Sequence, residues 1–231
     1  MALINKSPTC VECKFKHEIF YNLTEDELLI INENKLEVVY NEGEVIFKQG
    51  TPITHIVSVT KGLAKIYIEG VSKKNLILQY VRPTEFLGGP GAFTDKIHHY
   101  SVIAMEETTA CLISVEIFKD LMHKNIEFAF GYIEDVSKKG IYNFNKFISL
   151  TQKQMHGRIA EALLYYKDTV YPDHSNGFPL YRKDIAELTA LSKDSASRIL
   201  NSLHESKIIE ISESTIKILN RKQLEKISIK G

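Results

Sequence analysis

The stretch "YRKDIAELTALSKDSASRILNSLHESKIIEISESTIKIL", Tyr181 to Leu219, decides how the C-terminal third of the chain folds. Ile185, Ala186 and Leu188 mark a short helix. "TALS", Thr189 to Ser192, reads as a turn. Ser192 is placed to cap the next helix, because a serine oxygen there meets one of the N–H groups that a helix start leaves unbonded. That helix, about Lys193 to Glu205, turns Ala196, Ile199, Leu200 and Leu203 inward at helical spacing. It turns Lys193, Asp194, Ser195, Ser197, Arg198 and Asn201 outward. "IIEIS" and "STIKIL" flank a tight turn at Ser212–Ser214 and predict a two-stranded wing. Two helices joined by a three- to four-residue turn, the second exposing small polar and basic groups near its start, form a helix-turn-helix. Such a helix fits the major groove of double-stranded DNA. Arg198 can donate two bonds to guanine, Asp194 can accept from a cytosine amino group, and Ser197 is short enough to let the helix sit deep. Lys183, Ser192, Lys193, Ser195 and Asn201 complete the candidate contact set. A plain helical bundle with a solvated polar face would give no reason for cap, wing and spacing to occur together.

Upstream, the pattern changes twice. From Ile126 to about Thr151, Phe130, Ile133, Val136, Ile141, Phe144, Phe147 and Ile148 recur at three- and four-residue steps, with no proline. This predicts a long helix with an apolar stripe, roughly 39 Å at 1.5 Å per residue. A stripe of that length suits pairing with a second copy, the alternative being an ordinary core helix. Gly140, mid-stripe, weakens the helix by about 1 kcal/mol relative to alanine and would allow close backbone approach. A second helix, about Lys153 to Lys167, follows, and "TVYPDHSNGFP" reads as a loop. "SVEIFKDLMHKN" predicts a short helix ahead of the long one. From Leu36 to about Ile113, short apolar runs alternate with glycine turns at Gly43, Gly50, Gly62 and Gly70. Strands of this length and spacing predict an antiparallel sandwich or barrel.

Length and composition agree with one large globular domain or two small ones. Of 231 residues, 44% are apolar and 25% charged, which excludes a disordered or fibrous chain. No apolar run is long enough for a membrane helix, and "MALINKSPTC" has no signal-peptide core, so a cytoplasmic protein with no membrane partner is expected. Residues 1–151 carry 16 basic and 19 acidic side chains, and residues 152–231 carry 13 and 10. The basic C-terminal excess of three suits a polyanion but is weak by itself. No P-loop, Gly-x-Ser-x-Gly or His-Glu-x-x-His motif is present, so no enzyme is expected.

These features together resemble the family of the cyclic-AMP receptor protein and the fumarate–nitrate reduction regulator, the CRP/FNR family, closer to its FNR branch. "NEGEVIFKQG", "VTKGLAKIYI" and "FLGG" resemble its β-roll turns, the long helix its dimer helix, and "DIAELTALSKDSASRILNSL" its recognition motif. The fold so implied is α+β. An arm over 1–24 precedes a jelly-roll-like antiparallel β-roll sensor, similar to cyclic-nucleotide-binding domains, over 25–124. A dimerisation helix over 125–151 and a winged helix-turn-helix over 152–231 follow. The implied function is a homodimeric transcription regulator reading a palindromic site of two half-sites, under control of a small-molecule effector or a redox signal. A β-roll binding module without DNA-directed activity is the alternative. In the FNR branch, acidic–x–x–Ser–Arg reads a TTGA-like half-site, which places Asp194, Ser197 and Arg198 on bases. Ala190 departs from the family's usual turn glycine and Asp194 from its commoner glutamate. The dimer seam would use Phe130, Ile133, Gly140, Ile141, Phe144, Phe147 and Ile148.

The resemblance also says where an effector would sit: Phe86, Gly88, Gly89, His98, His99 and Ser101. Cyclic-nucleotide binders carry a glutamate and an arginine in this run, where this chain has Gly89 and, near the arginine position, His98. No arginine lies between Gly88 and Cys111, so tight cyclic AMP binding is not expected. Cys10 and Cys13, a C-x-x-C pair, and Cys111 fall at positions like those that hold an iron–sulfur cluster in the FNR branch. The third arm cysteine is missing, which leaves His17, Glu12 or Glu18 as a fourth ligand. Zinc, a thiol switch, and three ordinary thiols with no cofactor are the alternatives, the last being the leading one.

Overall fold

The computed structural model describes residues 2–3, 9–71 and 74–231. Ser7 and Pro8, within the arm expected over 1–24, lie outside these residues. Strands β1 (Ala2–Leu3), β2 (Leu36–Tyr40), β3 (Val45–Phe47), β4 (His55–Lys61), β5 (Ala64–Glu69), β6 (Asn75–Val81), β7 (Phe86–Leu87), β8 (Ser101–Ala104) and β9 (Thr108–Ser114) build two sheets. One has the order β1-β2-β9-β4-β7 and the other β3-β8-β5-β6. The recorded pairings within both are antiparallel, so the expected antiparallel roll is present.

Helix α1 (Glu25–Asn34) starts in a capping box, with Thr24 and Glu27 each satisfying the other's backbone N–H. Helices α2 (Val115–Lys124) and α3 (Ile126–Gln152) follow β9. The chain divides into two compact units: Met1–Glu69 with Gln79–Tyr142, and Gly70–Leu78 with Asn143–Gly231. The division falls inside α3. In the first unit, Phe20, Ile31, Ile56, Phe86, Phe118 and Phe128 form the centre of a core that closes over one sheet. Phe86 and Phe118 stack at 5.3 Å, and Phe118 meets Phe128 edge-on at 5.0 Å.

The second unit holds α4 (Met155–Tyr165), α5 (Arg182–Leu188), α6 (Lys193–Glu205) and α7 (Arg221–Lys230). Three strands accompany them: β10 (Phe178–Pro179), β11 (Ile209–Ser212) and β12 (Thr215–Ile218). The wing is therefore three-stranded rather than two-stranded. β10, inside the segment read as a loop, pairs Phe178 with Ile216 and Pro179 with Thr215 at the sheet edge. An edge position tolerates proline because no ladder N–H is required there. Helix α4 stops at Tyr165 and passes into a π-turn, Tyr166–Val170, instead of running to Lys167. Tyr166, Tyr171 and Phe178 stack on one another there. Helix α7 has no counterpart in the sequence reading. Its start is capped by the Asn220 side chain, which accepts from Gln223 N.

Glycine is required where the β4–β5 turn passes the neighbouring hairpin. Gly62 has φ +88°, and a Cβ there would lie 2.4 Å from the carbonyl oxygen of Glu107. Gly70 does not share the positive φ of Gly43, Gly50 and Gly62. Gly62→Ala combines a left-handed penalty with a backbone clash and should destabilise the protein by about 2 kcal/mol or more, read as a lower urea midpoint.

Candidate functional site

Helix α6 is set by its two ends. Ser192 Oγ accepts from Ser195 N at 3.1 Å, as its cap position predicts. His204 Nδ1, near the other end, accepts from Ile211 N at 3.2 Å and ties the helix to β11. Ala196, Ile199, Leu200 and Leu203 are buried, while Lys193, Asp194, Arg198 and Asn201 are exposed. Ser195 and Ser197 differ from expectation: both are half-buried. Ser192 Oγ donates to Ser195 Oγ at 2.9 Å, which accepts in turn from Arg198 Nη2 at 3.4 Å. The guanidinium is thus held loosely over the helix start. Ser192 and Lys183 are exposed, and Lys183 pairs with Glu187 at 3.7 Å.

The turn before α6 is tighter than its sequence suggests. Ala190 adopts φ +53°, the left-handed conformation for which glycine is suited. Leu191 N donates to Ala186 O at 2.9 Å, and Thr189 Oγ1 donates to Ile185 O at 2.7 Å. Arg158 on α4 donates to Lys153 O at 3.0 Å and, more weakly, to Thr189 O at 3.4 Å. Sequence reading missed Arg158, because its role depends on α4 packing against this turn.

The expected effector residues are engaged by the protein itself. Phe86 is in the aromatic core, and a Cβ at Gly88 would sit 2.8 Å from its ring. Gly89 (φ +56°) faces Tyr100 Oη. His98 stacks flat on Phe47 with ring centroids 3.9 Å apart. Burial lowers its pKa to about 4, so it is neutral near pH 7. His99 pairs with Asp95 at 3.0 Å. Ser101 is fully buried, accepting from Gln49 N and donating to Glu69 Oε1, each at 2.9 Å.

A second candidate site forms at the three cysteines that the resemblance placed at cluster-like positions. Cys10, Cys13 and Cys111 line one apolar cavity of about 30 Å³, together with Lys16, Lys35 and Ser58. Cys111 sits on β9, paired with Glu37 on β2 and Ser58 on β4. Burial pushes its thiol up to about 12. Burial also raises the Cys10 thiol, opposed by Lys35, which hydrogen-bonds it. Lys16 Nζ donates to Val11 O at 2.9 Å and to Cys10 O at 3.3 Å. His17 is directed elsewhere: Nδ1 accepts from Ile19 N at 3.3 Å, and Nε2 lies 3.5 Å from Asp135 Oδ1. Among the described residues, no group of three or more His, Cys, Asp or Glu is placed to hold a metal ion. With His17 directed to Asp135 and Glu18 to Lys138, the three thiols have no fourth ligand among the described residues, and this arrangement does not fit an iron–sulfur cluster. Neither Lys16 nor Lys35 carried a sequence signal, since their convergence depends on the arm lying against β9.

Comparison with known proteins covers both units. Residues 37–125 match the model of the cyclic nucleotide-binding domain, and residues 157–227 that of the Crp-like helix-turn-helix domain. The chain is 24% identical over 183 residues to the cAMP-activated global transcriptional regulator CRP of Salmonella typhimurium, covering 77% of this chain and 86% of that one. It is 21% identical over 211 residues to the transcriptional activator protein FnrL of Cereibacter sphaeroides, covering 87% and 84%. A solved crp/fnr-family chain from Eubacterium rectale superposes with a TM-score of 0.79 at 17% identity, covering 92% of this chain and 98% of that one. No helix among the described residues is long and apolar enough to cross a membrane.

His98 gives a pH test of this arrangement. Its folded pKa of about 4 lies below the ordinary 6.5, so protons favour the unfolded chain. The contribution is complete above about pH 6.5 and is lost as pH falls towards 4. Allowing for solvent screening at a partly exposed ring, about 1–2 kcal/mol of unfolding free energy should disappear over that window. His98→Gln should flatten that part of the profile, measured by urea denaturation across pH.

Proposed function

This chain belongs to the CRP/FNR family of transcription regulators, and from that premise we propose that it acts in the cytoplasm as a homodimer reading a palindromic DNA site with α6 of each copy. The observation that carries the reading is the capped start of α6, with Lys193, Asp194, Arg198 and Asn201 exposed along it and a wing beside it. Exposed charge at a helix start, clear of its own core, is what major-groove reading requires. Arg198 is the guanine reader and Asp194 the cytosine reader, with Lys183, Ser192, Lys193, Ser195 and Asn201 on the backbone or flanking bases. Half-burial of Ser195 and Ser197 suits the close side of such a contact. No catalytic step is assigned.

Arg198→Ala should weaken cognate binding by about 1–3 kcal/mol, roughly 5- to 150-fold, and relax discrimination at its guanine. A gel shift on cognate and scrambled duplexes at two salt concentrations measures both effects. Equal binding of cognate and scrambled DNA by mutant and wild type would remove Arg198 from the readout. Absence of any salt-dependent binding would overturn the DNA reading itself.

The second copy would cover α3. Phe130, Ile133, Ile141, Phe144, Phe147 and Ile148 are each at least half exposed, at 50–66%. Gly140 has nothing within 4 Å of where its Cβ would be, which leaves room for a close helix there. Phe144→Glu should convert the dimer to monomer at micromolar concentration by sedimentation, with a circular-dichroism spectrum unchanged. A dimer of wild-type strength would exclude this seam.

Control by an effector is part of the same reading, and cyclic AMP is not the effector we infer. The Salmonella relative is cAMP-activated by name. Here a cyclic phosphate would find His98 neutral against Phe47, and His99 already paired with Asp95. Without a fixed cation the charge-assisted pair that anchors a phosphate is lost.

A further inference from the structure

We propose that Lys146, near the end of α3, is a site of acylation by small acyl phosphates, and that the neutral amide formed there weakens the join between α3 and α4. The consequence for DNA binding rests on the function proposed above, whereas the chemistry and the effect on the join do not.

The geometry sets Lys146 apart. It lies in the second compact unit, with Ser149, Lys153 and α4. Lys146, Ser149 and Lys153 follow at three- and four-residue steps, so they share one flank of the helix and its end. Phe144 and Ile148, each two residues from Lys146, lie on another flank, so pairing along the apolar stripe does not cover it. Glu161 on α4 faces the lysine flank. Its Oε1 accepts from Lys153 Nζ at 3.1 Å, and its Oε2 accepts from the Ser149 hydroxyl. Both carboxylate oxygens are thus engaged. Lys146 is half-buried, and among the described residues its Nζ makes no hydrogen bond or ion pair.

An ammonium buried without an acceptor is poorly solvated, and burial favours the free amine. Attraction by Glu161 offsets this only in part, and the pKa of Lys146 falls to about 8. About a tenth of the side chain is then free amine at pH 7, against roughly one part in a few thousand for an ordinary lysine. Lys61 and Lys138 show the contrary case. Hydrogen bonds from Glu107 to the first, and from Glu134 and Glu18 to the second, hold the ammonium forms and raise both pKa values.

The free amine is the nucleophile. An acyl phosphate fits the site because its anionic phosphate meets the Lys153 ammonium, which is itself 25% exposed. The Lys146 nitrogen attacks the acyl carbon and the C–N bond forms. The C–O bond to phosphate breaks, phosphate leaves with the electron pair, and the nitrogen gives up one proton. The product is a neutral amide, so the cost of holding a charge in a half-buried place is gone. The added acyl group needs room on the flank where Ser149 meets Glu161, and the attraction towards Glu161 ends. Slack at this join reaches the reading helix. Near the start of α4, Arg158 donates to Lys153 O at 3.0 Å and to Thr189 O, in the turn before α6, at 3.4 Å.

The test uses the full chain and acetyl phosphate near neutral pH. Trypsin does not cleave after an acylated lysine, so modified protein yields Gly140–Lys153 as one peptide with one acetyl group. Acetylation at Lys146 should start at about tenfold or more the rate at Lys61 and Lys138 in the same sample. In urea the three rates should converge. Glu161→Gln should speed the reaction at Lys146, since the one attraction holding the ammonium is removed. Lys146→Arg should leave acetylation at Lys61 and Lys138 unchanged. Hydrogen exchange over residues 149–161 should rise by about threefold or more in the acetylated chain, and not in treated Lys146→Arg. Equal rates at the three lysines in the folded chain, a preference that survives urea, or acetylation with exchange unchanged would each overturn the proposal. DNA binding is measured on the same samples and should fall by about fivefold or more on acetylation, with treated Lys146→Arg retaining it. Absence of DNA binding before and after treatment would overturn the proposed function and leave the acylation result standing.

Discussion

Helix α3 cannot bury its own apolar face, and the rest of the architecture depends on that. Ile126, Phe130, Ile133, Val136, Ile141, Phe144, Phe147 and Ile148 stay 44–66% exposed after the chain has folded. Covering what remains of each would gain on the order of 1 kcal/mol per side chain. A 27-residue helix of this kind is unfavourable in isolation and stable once something packs along it. The helix also crosses the division between the two compact units. The stripe therefore has residues in both units.

Near its start, α3 is held by charge as well as by packing. Asp135 is buried, which alone would raise its pKa, but bonds from His17 and Lys139 outweigh that and hold it below the usual carboxylate range. Lys139 Nζ reaches Asp135 at 2.6 Å and the Phe86 carbonyl at 2.8 Å. Burial raises the Glu85 carboxyl in the same neighbourhood, against the backbone N–H of Arg82 and the charge of Lys139. A buried carboxylate that loses one partner is costly, far more so than an exposed pair. The contact between His17 and α3 is thus a sensitive one, and His17 is unsuited to leave it for a metal.

What the sequence disclosed follows from what is local. The bounds of α6, its Ser192 cap and its buried face need only a 3.6-residue period and a hydroxyl at the right step, and all are as read. The start of α3 is as read, and its end differs by one residue. Features set by distant segments were hidden. β10 consists of Phe178 and Pro179 in a stretch full of turn residues, and only its partner Ile216 makes it a strand. Ser195 and Ser197 look exposed on a helical projection but are half-covered in the folded unit. His17 looks like a ligand beside a C-x-x-C pair, yet its partner is Asp135, far along the chain. Convergence of the three cysteines could be suspected from the resemblance, but Lys16 and Lys35 beside them could not.

The two candidate effector sites differ in what they have lost and kept. Around Gly88–Ser101 the side chains have satisfied one another: Phe47 on His98, Asp95 on His99, and Glu69 with Gln49 on Ser101. A ligand entering there would have to break those contacts. The thiol cavity presents the reverse balance. Its walls are apolar, and its sulfurs lie on two elements, one a fixed strand and one a short turn. That turn leads into the segment His17–Asn22, which is bonded along the first half of α3. The run that resembles a nucleotide pocket is thus closed by its own contacts.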